Sequence, residues 1–160
     1  MSRLFLFWLL LLLVLPASCA AGEEELLAVV VSHVQTGRAL NLAELGLIYR
    51  RKQLVWADGT RINPANLPPD NPLRRAFSQR VLGSPPEGLV QYWNAMYFHG
   101  ISPPHVLASE EAVLRFVAET PGAVGYVSAC KADVRVKAVL WLLPDGGVSA
   151  QQPALKCSQD

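Results

Sequence analysis

The stretch from Ile62 to Phe77, INPANLPPDNPLRRAF, holds the residues of this chain best placed to do chemistry. A short strand, a kinked polar loop and a helix start follow one another there, with Asn66, Asn71 and Arg74 spaced along them. A helix N-terminus offers unpaired N–H groups and a partial positive charge, and an arginine in the first turns adds charge-assisted hydrogen bonds. That is the chemistry of an anion site. Against it, Pro72 removes one donor, Asp70 or Asn71 can fill the N-cap with its own oxygen, and an ionised Asp70 repels phosphate. The simpler reading is an ordinary capped helix. The sharper one is a weak anion or polar-ligand site at Asn66, Asn71 and Arg74.

The other candidates are poorer. Arg50-Arg51-Lys52 reads as a solvated helix end, where basic residues are favourable. Trp93, Tyr97 and Phe98 read as core aromatics rather than as a ligand platform. His33, His99 and His105 have no metal-ligand spacing with one another or with acids. Ser32 beside His33, and Ser109 near His105, are sequence neighbours with no nucleophile elbow around them. No catalytic constellation and no cofactor motif emerges, so the chain reads as a binding or interaction protein and not as an enzyme.

The elements that must position Asn66 and Arg74 follow from pattern. Leu26 to Ser32 is a continuous valine-rich run, which suits a strand buried on both faces, as in a parallel sheet under helices. Asn41 and Glu44 mark a capping box for a short helix carrying Leu42, Leu45 and Ile48. Leu54–Trp56 and Arg61–Asn63 flank the turn at Asp58-Gly59 as a small hairpin. A helix starts at Pro72, buries Leu73, Phe77 and Val81, and stops at Gly83. Pro85-Pro86 introduces another with Leu89, Trp93, Met96 and Tyr97 on one face, ended by Gly100 and Pro103-Pro104. A short strand at His105–Ala108 leads to a helix capped by Ser109, with Glu110 and Glu111 in its first turn. Val113, Leu114, Phe116 and Val117 face inward from it. Strands at Ala123–Val127 and Val134–Leu142, then a turn at Pro144–Gly147, complete an α/β pattern with no internal repeat.

At the N-terminus, Arg3 precedes an apolar run from Leu4 to Leu15 and then small residues, the form of a secretory signal peptide. The run is about 12 residues long, against the roughly 20 that span a bilayer as a helix. Residues 1–21 are therefore expected to be removed, leaving an α/β domain at 22–150 and a polar tail at 151–160, with no membrane span. Cys19 raises lipidation as the lesser alternative. The expected address is the periplasm or the exterior. Arg3 leaves with the signal, so the 14 basic residues fall to 13 against 13 acidic ones. That balance excludes the basic excess of a nucleic-acid binder. Cys130 and Cys157 then remain, and an oxidising compartment with an even count favours a disulfide between them over two buried thiols.

The order LLAVVVS, LNLAELGLIYRRKQLVWADGTRINPANLP, PLRRAFSQRVLG, YWNAMYFHG and PPHVLASEEAVLRFVAETPGAVGYV resembles type 2 periplasmic solute-binding proteins. Within them it is most similar to the phosphate-binding component of phosphate ABC transporters. Thr120-Pro121-Gly122-Ala123-Val124-Gly125-Tyr126-Val127 is the most specific match, resembling the family's helix-to-strand signature. The resemblance implies a single lobe of that fold, a mostly parallel central sheet with helices packed on it. It implies phosphate or another small anion as ligand and an ABC permease as partner, whereas an envelope protein is the partner of the alternative reading, and the resemblance does not say which one. The alternative it leaves is an interaction module of the envelope that kept the fold and lost the ligand site. Two departures stand out. Ser32-His33-Val34-Gln35-Thr36-Gly37-Arg38 lacks the family's Gly/Ser-rich loop, and Asn66–Pro72 replaces its arginine and Ser-Gly-Thr turn. The family's phosphate ligands are therefore not carried over to this chain.

Overall fold

A computed structural model describes residues 25–34 and 40–157. The segment expected to be a signal peptide (1–21), with Cys19 in it, residues 35–39 and the last three residues of the tail lie outside the described residues.

Six strands among the described residues form one sheet. They are β1 (Leu27–Ser32), β2 (Asn63–Asn66), β3 (His105–Val106), β4 (Ala123–Ser128), β5 (Val136–Leu142) and β6 (Val148–Ser149), in the spatial order β3-β2-β4-β1-β5-β6. Four helices accompany them: α1 (Leu42–Tyr49), α2 (Pro72–Leu82), α3 (Val90–Phe98) and α4 (Glu110–Glu119). The α/β lobe with helices on its sheet is the one expected. The pairing is parallel for β2 with β3 and with β4. Around β1 it differs from the expected mostly parallel sheet, because β1 runs antiparallel to both β4 and β5, and β6 antiparallel to β5. All six residues of β1 are buried. Its apolar run reported burial on both faces correctly, and burial does not encode direction.

Strand alternation on β4 sorts the helices into layers. At Gly125 a side chain would meet Val113 and Val117 of α4. The next residue, Tyr126, points to the opposite face. There it stacks on Phe77 of α2, ring centroids 3.8 Å apart, and Tyr49 of α1 packs against Phe77 at 4.5 Å. The sheet is thus sandwiched between α4 and the α1–α2 pair.

The local signals act as read. Asn41 Oδ1 accepts from the Glu44 N–H, Asn71 Oδ1 from Leu73, and Ser109 Oγ from Ala112. Gly83 ends α2 at φ +67°. The Asp58-Gly59 hairpin is closed by Trp56 N–H to Thr60 O and Ile62 N–H to Leu54 O. Gly122 pins that hairpin to β4. Its carbonyl accepts from Trp56 Nε1 at 3.0 Å and from Asn63 N–H, and at φ +72° a side chain there would collide with the Arg61 carbonyl.

Two readings are corrected. Arg50 and Arg51 are not a solvated helix end: Arg50 Nη2 donates to Leu82 O and Arg51 Nη1 to Ile62 O, tying α1 to α2 and to the hairpin. Tyr97 and Phe98 are not core. They are 70% and 85% exposed, and no residue of α3 is fully buried. Spacing placed them on a helix, but the face that α3 turns inward is narrow. The Cys130–Cys157 disulfide is present, with Cα atoms 5.6 Å apart.

Candidate anion site

Asn66 ends β2, at the carboxyl end of a parallel strand pair, where open α/β sheets hold ligands. Five residues, Leu67 to Asn71, then lead to α2. Leu73, Phe77 and Val81 define the inward stripe of α2, and Arg74 and Ser78 lie beside it on the same face. Arg74 is accordingly buried, at 8% exposure, above the cluster of Tyr49, Phe77 and Tyr126. Its Nε and Nη1 have no hydrogen-bond partner. Arg74 and Asn66 line a groove of about 600 Å³ between the start of α2, the near face of α3 and the loop before β3.

The electrostatics are one-sided. Burial lowers the pKa of Arg74, but a guanidinium stays charged in a protein. The titratable groups that act on it are Tyr126 and Tyr49, and burial raises both phenols, so they stay neutral and give no counter-charge. The Tyr126 hydroxyl accepts from Leu67 N–H at 3.3 Å and donates to Asn66 Oδ1 at 3.2 Å. Asn66 is thereby oriented, with its Nδ2 left as the donor end. Arg75, the neighbouring cation, is exposed and paired with Glu87 at 2.6 Å.

Asn71 does not join Asn66 and Arg74. Its side chain is spent on the cap of α2, and it lines a second concavity of about 480 Å³ with Glu111, Lys131, Asp133 and Arg135. Sequence reasoning missed Trp93 and Val90 of α3 as groove walls, because only the packing of α3 against the α2 loop brings them there. It also missed that Arg74 is buried, although its place one residue after Leu73 puts it on the inward face. Among the described residues no group of three His, Cys, Asp or Glu side chains gathers as for a metal, and no helix is long and apolar enough to cross a membrane.

No protein-family model and no curated protein matches the chain. Solved structures do. A putative phosphate ABC transporter substrate-binding protein with bound phosphate from Clostridium perfringens matches with a TM-score of 0.60 and 20% identity, over 73% of this chain and 46% of that one. An ABC-type phosphate transport receptor from Vibrio cholerae gives 0.58 and 18%, over 73% and 47%. A possible phosphate binding protein from Planctomyces limnophilus gives 0.53 and 17%, over 73% and 42%. The chain spans about half the length of the proteins it matches, and at these identities the likeness is one of fold. Over that length the chain has the fold of the substrate-binding proteins of phosphate ABC transporters.

Proposed function

We propose that this protein is a non-enzymatic, secreted solute-binding protein whose groove at Asn66 and Arg74 takes a small anion. One observation carries the reading: a guanidinium buried without a counter-charge, two of its N–H groups unpaired, at the wall of a groove. Burying a charge without a partner costs several kcal/mol, and an anion that accepts from Arg74 offsets that cost. The fold supports it, since a neighbour of the same architecture was solved with phosphate bound. Asn71 acts through the cap of α2 rather than by touching the ligand. The expected signal at 1–21, ahead of the domain at 22–150 and the tail at 151–160, supports an address in the periplasm or outside the cell, and the fold favours an ABC permease as partner. Mass spectrometry of the mature chain is expected to find its N-terminus near Ala21 or Gly22 and no lipid on Cys19.

Calorimetry with inorganic phosphate and with acetate tests the site. Saturable binding of either, weakened about 10- to 100-fold by Arg74→Ala, is the expected result. No heat from any anion at millimolar concentration would sink the reading.

A second reading, an interaction module of the envelope, has its own observation. Gly88 to Ser109 contains no Asp, Glu, Lys or Arg, and α3 within it exposes Val90, Tyr97 and Phe98. If that surface is the working one, an envelope partner captured by the wild-type chain is lost in Tyr97→Ser/Phe98→Ser and kept in Arg74→Ala.

A further inference from the structure

The lining of the groove bears on which kind of anion it suits. A tetrahedral dianion needs many donors, and the start of α2 has given most of its own away. Pro72 has no N–H, the Leu73 N–H is held by Asn71 Oδ1, and the Asn71 N–H donates to Pro68 O. The donors that line the groove are the Arg74 guanidinium, whose Nε and Nη1 are themselves closed to solvent, the amides of Asn66 and Asn94, and Arg75, which is paired with Glu87; so small a set suits the two oxygens of a planar carboxylate. Asp70 also lines the groove and repels a dianion more than a monoanion, whereas Glu87 is paired there with Arg75. Most of the remaining lining is apolar: Trp93 and Val90 from α3 (with Asn94 beside them), Pro69 from the α2 loop and Pro104 before β3. A volume of about 600 Å³ is that of a site for an organic molecule rather than for a bare oxyanion.

We propose that the ligand is a small monocarboxylate carrying an aromatic or branched apolar group, its carboxylate on Arg74 and its apolar part against Trp93 and Val90. The inference rests on the anion-site reading and names the ligand class for it. The uncharged segment from Gly88 to Ser109 then has a purpose on its groove side. It leaves Arg74 as the buried charge that fixes the ligand's orientation, while an apolar wall supplies the affinity.

Calorimetric titration of the mature chain with phenylacetate, acetate and inorganic phosphate tests this. Phenylacetate is expected to bind at least about tenfold more tightly than acetate or phosphate, the gain coming from ring burial. Trp93→Ala is expected to bring phenylacetate down to the level of acetate while leaving acetate unchanged. Val90→Ser, at an exposed position that folding does not need, is expected to act in the same direction with smaller effect. Phosphate binding as tight as phenylacetate would overturn the carboxylate inference and leave the anion site standing. An advantage for phenylacetate that survives both α3 variants would overturn the placing of the apolar part. No binding of any of the three would overturn both.

Discussion

Arg135 and Arg74 each stand in a concavity, Asn71 lining the one and its neighbour Asp70 the other, and the two arginines are in opposite states. Arg135 donates through Nη1 and Nη2 to Glu111 at 2.7 and 2.8 Å, and through Nε and Nη2 to Asp133 at 3.0 and 2.7 Å. Those bonds hold both carboxylates below their ordinary range and raise the guanidinium. Lys131 pairs with Glu110 in the same place, and Glu110 also accepts from Ser128 N–H. The Arg135 concavity holds more charges than the Arg74 groove and answers them internally. Arg74 has no such partner and is the more deeply buried. On the proposed reading it is the unanswered buried donor, and not the count of charges, that marks the place for a ligand.

The largest expected effect tests whether the two places are independent. Cys130 precedes the Lys131–Arg135 segment, and its bond to Cys157 closes a loop with a sequence separation of 27. Replacing both cysteines by serine should lower stability by about 3 kcal/mol on the chain-entropy account. Anion affinity at Arg74 should not change. A fall in affinity by calorimetry, at a temperature where circular dichroism shows the variant folded, would mean that the two concavities are coupled.

Tyr126→Phe comes next. It removes the acceptor of the buried Leu67 N–H and the donor to Asn66, at a cost of about 1–3 kcal/mol in urea unfolding. Since Asn66 then loses its orientation, anion affinity should fall as well, which no change around Arg135 should do.

Arg74→Met sharpens the contrast further. In anion-free buffer it should raise stability by about 1 kcal/mol or more, because an apolar side chain of similar length replaces an unpaired buried charge. Arg135→Met should lower the urea midpoint slightly, as exposed ion pairs contribute little. If Arg74→Met is the more destabilising of the two without ligand, Arg74 is answered in some other way and the anion site loses its basis.

The smallest effect is in the pH profile. Glu111 and Asp133 have folded pKa values lowered by Arg135, so their contribution is present above the unfolded pKa and is lost as pH falls through the folded one. Below about pH 4 the wild type should therefore lose slightly more stability than Arg135→Met. Between pH 5 and 8 the two should run parallel, and added salt should shrink their difference.

Most elements of the fold were legible because their signals are local. Asn41, Asn71 and Ser109 cap the helices that follow them, Gly83 ends α2, and the Asp58-Gly59 turn closes its hairpin, each through contacts within eight residues. The site was half legible. Asn66 and Arg74 were picked out and do share a groove, whereas Asn71 was picked for the same loop and is occupied by its cap. The aromatics of α3 were misread because helical spacing tells which residues share a face, and not how wide a face the rest of the molecule covers.

The sequence by itself determined the caps, the turns, the inward stripe of α2 and the burial of β1, since each depends on neighbours a few residues away and on apolar period. Only the tertiary structure decided that β1 runs antiparallel to its neighbours, that Arg50 and Arg51 serve as ties, and that Arg74 is buried without a partner while Arg135 has two. Whether a charge is answered depends on groups that the chain brings from tens of residues away. Arg135 meets Glu111, 24 residues earlier, and Arg74 meets two phenols that burial keeps neutral.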